Sequence, residues 1–331
     1  MKGKLQKTFQ GKYSILAWFS ISMVLISIVI LIIPYLINIS YSYKYVTESI
    51  YPEIFGLLFD ILIFGIIITF FQILSEKRTS ISKEIEIIND FRGWNTEEAS
   101  HRILGSIKRL NKLNVYNVNL ENCYFSSIMF QKLDFCDSKM NSISFFNCNL
   151  FNITFFNSKT HHFTIRDSNI SGCAFINGNL AFNLHTSTLS NNLFQNIDLR
   201  SSRFFSKDIS LCIFENVDLS YSYFNFESCS LVEFINCKFD ECIVFENFFE
   251  KLNKSNPANA GIESISNNYD LIQINDPWTG EQKNVWILRN KNASDNSKPP
   301  IRVFGKDETI SIISPWQRVG RCQPQTSINI N

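Results

Sequence analysis

From Leu120 to Val244 a large apolar residue returns at every fifth position. That spacing is neither the 3.6 of a helix nor the 2 of an ordinary strand. The beat runs through Leu120, Phe125, Phe130, Phe135, Met140, Phe145, Leu150 and Phe155 and continues to Leu180. It slips by one residue, resumes at Leu184, and runs through Phe194, Phe204, Phe214 and Phe224 to Val244. All of its 26 positions except Thr160 and Cys229 are large and apolar, where the chain's 45% apolar content would give about twelve by chance. Two residues before each beat sits a second set, often small or β-branched: Cys123, Ser138, Cys148, Ser158, Ser168, Cys173, Cys212, Val217, Ser222 and Cys237. A chain with two inward side chains per five residues builds flat-sided coils. One coil cannot bury its apolar face, but stacked coils can, with backbones hydrogen-bonded like parallel strands.

Asn or Asp often precedes the beat, as in Asn216-Val217-Asp218-Leu219-Ser220 and Asn147-Cys148-Asn149-Leu150-Phe151. In these residues the chain resembles the pentapeptide-repeat proteins, whose pattern is A(D/N)LXX with Leu or Phe central. It departs from that pattern in using Phe more than Leu, and Ser or Cys rather than Ala. The resemblance covers about 130 residues and implies a right-handed, four-sided parallel β-helix with four repeats per coil. Twenty-six repeats would then make about 6.5 coils, roughly 31 Å at ~4.8 Å per coil. On this register Phe214 and Phe224 face inward, while Phe226, two residues off the beat, is expected to point outward.

Upstream the chain reads as a membrane segment. Ser14–Ile37 holds 24 residues without a charge, and Ile54–Leu74 holds 21 with Asp60 alone. Each meets the roughly 20 residues a helix needs to cross a bilayer. A 16-residue connection rich in tyrosine (Tyr41, Tyr43, Tyr45, Tyr51) joins them, as expected at headgroup level. Lys2, Lys4, Lys7 and Lys12 precede the first span, and Lys77, Arg78 and Lys83 follow the second. The positive-inside rule therefore predicts a two-helix hairpin with both termini cytoplasmic, in a multi-pass protein of a bacterial-type inner membrane. A cleaved signal peptide fits less well, because its apolar region would be about twice the usual length. Asp60 lies near the interface, where a carboxylate reaches headgroups or water; an ion path is the sharper alternative.

Residues 75–114 read as a helical connector. Asn95-Thr96-Glu97-Glu98 offers a cap and first-turn acids, and Ile103, Leu104, Ile107 and Leu110 recur at helical spacing. This helix is expected to lid one open end of the solenoid. At the other end Phe245, Phe248, Phe249 and Leu252 predict a second short helix. Four domains follow: a transmembrane hairpin over 1–74, the connector and cap over 75–114, the solenoid with its C-terminal cap over 115–253, and a polar tail over 254–331. Within the tail, Asn284–Leu288, Ile301–Phe304 and Ile310–Ile313 are strand-like, so it is either a small β unit or disordered.

The functional classes narrow by elimination. With 31 basic and 30 acidic residues, bulk charge does not make a nucleic-acid binder. Charge is nonetheless segregated: Asp198–Glu250 holds ten acids against four bases. Nine cysteines and four histidines include no C-x₂-C pair and no zinc spacing, so neither disulfides nor a metal site are expected. His161, His162 and His185 read as outward loop residues. There is no G-x-S-x-G, no glycine-rich phosphate loop and no H-E-x-x-H, so no enzyme, cofactor or catalytic residue is predicted. The first expectation is a membrane-anchored scaffold presenting its solenoid to a protein partner, with oligomerisation left open. The second is a channel-like or membrane-perturbing effector. The third, implied by the resemblance, is a DNA mimic that protects type II topoisomerases.

Overall fold

The structure is a computed structural model. It describes residues 51–253, 259–275 and 284–291, together with Leu25, Ile28, Val29 and Ile32, which are helical and exposed. Apart from those four residues, the predicted first span lies outside the described part, as do Ile301–Phe304 and Ile310–Ile313. The chain divides into two compact units, Met1–Ser80 and Ile81–Asn331.

A 40-residue helix, α1, runs over Tyr51–Asp90. Within it, Phe59–Asp90 is long and apolar enough to cross a membrane, and it is the one such helix among the described residues. Its apolar side chains lie bare: Leu57, Phe59, Phe64, Ile66, Phe70 and Phe71 are each more than half exposed. The second predicted span therefore falls inside a helix that also takes in the first part of the expected connector. The helix ends only at Phe91–Gly93, where Gly93 adopts φ +81°.

The solenoid is mainly β, about six turns of stacked parallel strands. Register sets its geometry: Phe125 pairs Phe145, Phe135 pairs Phe155, Phe204 pairs Phe224 and Phe214 pairs Phe234. Each step is 20 residues, or four beats. All 26 beat residues are buried, none more than 6% exposed. All but Thr160 form one continuous core with the cap residues Ile103, Leu104, Ile107 and Leu110.

The chain turns at one recurring place. Two residues after most beats the backbone enters the left-handed region, at Asn122, Asn147, Asn152, Asn157, Asn196, Asn216 and Asn236 among others. L-residues pay roughly 1–2 kcal/mol there, and Asn tolerates it best after glycine. The asparagines that recur off the beat are thus corner residues. They also stack: Asn196 donates to Asn177, Asn216 to Asn196 and Asn236 to Asn216, at 3.0, 2.8 and 3.1 Å.

The slip between Leu180 and Leu184 shortens one step. Thr160 pairs Leu180, whereas Phe163 pairs Phe182 and Ile165 pairs Leu184, so the register falls from 20 to 19. It returns to 20 at Asn183 with Arg203. The missing residue lies inside the continuous strand Ala174–Ser190, so no loop forms. His162 and His185 lie in strands too, contrary to the expected loops, though both are exposed.

One side of the coil departs from the expected register. In the first three coils Ile128, Cys148 and Ser168 fill the second inward position, and Ser127, Asn147 and Asp167 make the corner. In later coils that corner is absent, and the strands Arg203–Ser210 and Tyr223–Ser230 run straight. Alternation then carries Ser206 and Phe226 inward and leaves Lys207 and Glu227 outside. Phe226 is 1% exposed, against the expectation that it points outward. Keeping the regular corner in these coils would turn Lys207 and Glu227 inward, where an unpaired charge is costly.

Both ends are closed. Helix α2, Glu97–Lys112, starts at the N-cap Thr96, whose side chain accepts from Ala99 N–H at 3.2 Å. It supplies the exposed strand edge with partners. Ser100 Oγ accepts from Ser126 N–H and donates to Tyr124 O, and Asn111 Oδ1 accepts from Asp134 N–H at 2.7 Å. Arg109 pairs with Glu84 at 2.7 Å, fixing α2 to the end of α1. At the far end helix α3, Phe248–Asn253, buries Phe248 and Leu252, while Phe245 lies before it, 37% exposed under the ammonium of Lys251. The antiparallel pair Tyr269–Asn275 and Asn284–Asn290 completes the closure. Leu288 pairs Cys242 and Trp286 pairs Val244, so this part of the tail extends the solenoid sheet.

Candidate interaction surface

The interior holds no reactive chemistry that solvent can reach. Cys173, Cys212, Cys237 and Cys242 are fully buried, and desolvation pushes each thiol up to about 12. The sulfurs of Cys173, Cys212 and Cys237 hydrogen-bond to carbonyls of the preceding coil, Leu150 O, Leu189 O and Phe214 O, while Cys242 Sγ meets Ser222 Oγ. They serve as small hydrophobes, as the sequence suggested. Among the described residues no group of His, Cys, Asp and Glu could hold a metal ion. One cysteine breaks the expectation of no disulfides. Cys136 is disulfide-bonded, whereas the other seven described cysteines are free. It follows the beat residue Phe135 and so belongs to the outer surface rather than the core.

The outer surface is set by register, because equivalent side chains recur one above another. On the first two coils Met129, Phe146 and Phe151 are 56%, 52% and 40% exposed. Met129 pairs Asn149 and Gln131 pairs Phe151, so Met129 and Phe151 lie diagonally on one face of adjoining coils. Phe146 pairs Ser126 and stands on the adjoining face, before the corner at Asn147. Further along, His185 lies parallel to Phe205, centroids 4.9 Å apart, with Asp167 at 3.9 Å.

Three acids of the acidic half are compensated locally. Arg200 donates to Asp198 through Nη2 and Nε at 2.6 and 2.9 Å and holds that carboxyl below its ordinary range. Arg200 also lies 4.0 Å from Asp218, one coil away. Arg289 pairs with Glu241 at 3.0 Å. A cleft of about 470 Å³ opens where α2 meets the first coils, lined by Lys108, Lys112 and Lys132 around Tyr116 and the buried Asp134. Asp134 Oδ1 and Asn111 Nδ2 are buried there without partners. Asp60, singled out from the sequence, is exposed on α1.

No family model matches the chain. No curated protein matches it either. Among solved structures, two trypsin-treated forms of QnrB1, a plasmid-mediated fluoroquinolone resistance protein, are similar to it. One is 18% identical with a TM-score of 0.23, covering 37% of this chain and 68% of the other. The second is 19% identical with a TM-score of 0.19, covering 37% and 67%. At those scores the likeness carries no argument, and the solenoid rests on its own strand register.

Proposed function

We propose that this chain is a membrane-anchored, non-enzymatic member of the pentapeptide-repeat class. Its right-handed, four-sided solenoid presents flat outer faces to a protein partner on the cytoplasmic side. The observation that carries this reading is the pair Met129 and Phe151, 56% and 40% exposed on one face of adjoining coils, with Phe146 exposed on the face beside it. A solenoid with a closed core has no reason of its own to expose large apolar side chains on neighbouring faces, and such exposure marks interaction sites. Anchoring is supported by α1, where Leu57, Phe59, Phe64, Ile66, Phe70 and Phe71 are each more than half exposed. The hairpin places two helices in the bilayer and both termini in the cytoplasm. A topoisomerase-protecting DNA mimic fits less well, because its acids would have to stand unpaired where Arg200 and Arg289 neutralise them.

The test is affinity capture of the intact chain from detergent-solubilised membranes, beside Phe146→Ser/Phe151→Ser and a chain lacking residues 1–74. One protein retained by the intact chain and lost from the double variant supports the scaffold. Equal capture by both excludes the patch. Ion leakage from liposomes carrying the intact chain alone would replace the scaffold with the effector reading.

A further inference from the structure

The cleft where α2 meets the first coils has the size and the chemistry of a ligand site. Its volume of about 470 Å³ falls within the range of small-molecule pockets, roughly 300–1,000 Å³. Asp134 lines it while only 2% exposed. Asn111 reaches it from α2, its Oδ1 accepting from Asp134 N–H at 2.7 Å. That bond holds the two side chains next to each other, and Asn111 Nδ2 and Asp134 Oδ1 are both enclosed without a partner. A donor and an acceptor left open in this way each cost the free protein hydrogen-bond energy. A group offering an acceptor beside a donor completes both.

The rest of the charge on the lining is positive. Lys108, Lys112 and Lys132 are exposed around the cleft, three bases against the one carboxylate of Asp134. Among the described residues none of these four has an ion-pair partner. The negative end of the α2 dipole is not bare here, because Leu113, Asn114 and Val115 N–H take the carbonyls of Arg109, Asn111 and Leu110. Three unpaired ammonium groups suit a phosphate, which carries about −1.5 to −2 at neutral pH and three acceptor oxygens. Tyr116 adds a ring to the wall, its hydroxyl donating to Asn114 Oδ1 at 3.1 Å.

We infer that this cleft binds a nucleoside monophosphate. The phosphate meets Lys108, Lys112 and Lys132, the base lies against the Tyr116 ring, and the base edge bonds Asn111 Nδ2 and Asp134 Oδ1. Every nucleobase carries the required pair on its edge, an amino group beside a ring nitrogen or a ring N–H beside a carbonyl. A bare phosphate leaves the enclosed pair unmet. Because Lys108 and Asn111 belong to α2 whereas Lys132 and Asp134 belong to the first coil, the ligand also ties the cap to the solenoid. The inference stands without the membrane reading and without the partner face.

The test is calorimetric titration of the full chain in detergent with AMP, GMP, CMP and UMP in turn, and with inorganic phosphate. At least one nucleotide should bind once per chain, about tenfold or more tighter than phosphate, and should raise the Tm. Lys108→Gln/Lys112→Gln changes only exposed side chains and should weaken that nucleotide by about tenfold or more. Asp134→Ala should weaken it by a similar factor. If that variant melts too early to titrate, the lysine variant decides alone. Failure of all four nucleotides to bind overturns the site. Phosphate binding as tight as the nucleotide overturns the base contacts, and undiminished binding by the lysine variant places the ligand elsewhere.

Discussion

Phe194 and Phe214 stack one coil apart, ring centroids 4.8 Å apart and planes 3° from parallel. They are the middle of a ladder that runs Phe135, Phe155, Phe175, Phe194, Phe214, Phe234, with interplanar angles of 16° or less throughout. The coil spacing imposes that separation. Phe204 and Phe224 enter from the adjoining side and meet the ladder edge-on at Phe214. Offset stacks and edge contacts both suit the aromatic quadrupole, so each ring adds to its burial energy.

Removing a rung should open the coils around it. Phe214→Ala and Phe226→Ala should each destabilise by about 3–5 kcal/mol, since both rings are buried and a cavity would replace them. Differential scanning fluorimetry of the detergent-solubilised chain reads this as a drop in Tm. A Phe226→Ala protein as stable as wild type would show that this side keeps the regular corner and that Phe226 faces solvent.

Corner residues should respond to backbone preference. Tyr221 holds φ 57° while 51% exposed, so Tyr221→Asn should gain about 1 kcal/mol by relieving the left-handed penalty. Asn216→Ala should lose stability, because it restores that penalty and breaks two rungs of the amide ladder. The urea midpoints of the two variants should move in opposite directions.

Acid should weaken the Asp198–Arg200 pair. The Arg200 guanidinium, then its backbone N–H, hold the Asp198 carboxyl below its usual range. A depressed folded value contributes stability above the unfolded value of about 3.9, and this is lost as pH falls through the lower folded one. Arg200→Gln should therefore lower the urea midpoint at pH 7 and lose most of that effect near pH 3. An equal effect at both pH values would show that Arg200 acts by packing.

The core thiols should be silent. Iodoacetamide at pH 8 should leave Cys173, Cys212, Cys237 and Cys242 unmodified in the native protein, because burial pushes each up to about 12. Mass spectrometry before and after denaturation reads the difference. Fast native labelling of any of the four would place it outside the core.

Topology follows from the charge flanks. A reporter that works only in the cytoplasm should be active when fused after Asn331, and one that works only outside should be active near Val46. Outside activity from the C-terminal fusion would remove the hairpin.

The beat itself was legible in the chain, because one large side chain per five residues is the condition for closing a coil on itself. The cap at Thr96 was legible for a similar reason, since capping depends on residues within one turn. Other signals were present but unread. The asparagines that recur two residues after the beat mark corners, and Lys207 and Glu227 stand where an inward residue was expected. A charge at such a position announces that the alternation has shifted. The strand Tyr269–Asn275 has no local signal in the chain, because its pairing with Asn284–Asn290 is what makes it a strand.

The sequence alone determined the repeat length, the inward residues on the beat and which segment is apolar enough for a membrane, since each depends on local composition and period. Tertiary structure decided which side of the coil drops its corner, how the slip at Leu180 is absorbed within a strand, and that Cys136 finds a mate. Those outcomes depend on contacts between residues 20 or more positions apart, where stacking on the neighbouring coil sets the conformation and local preference does not.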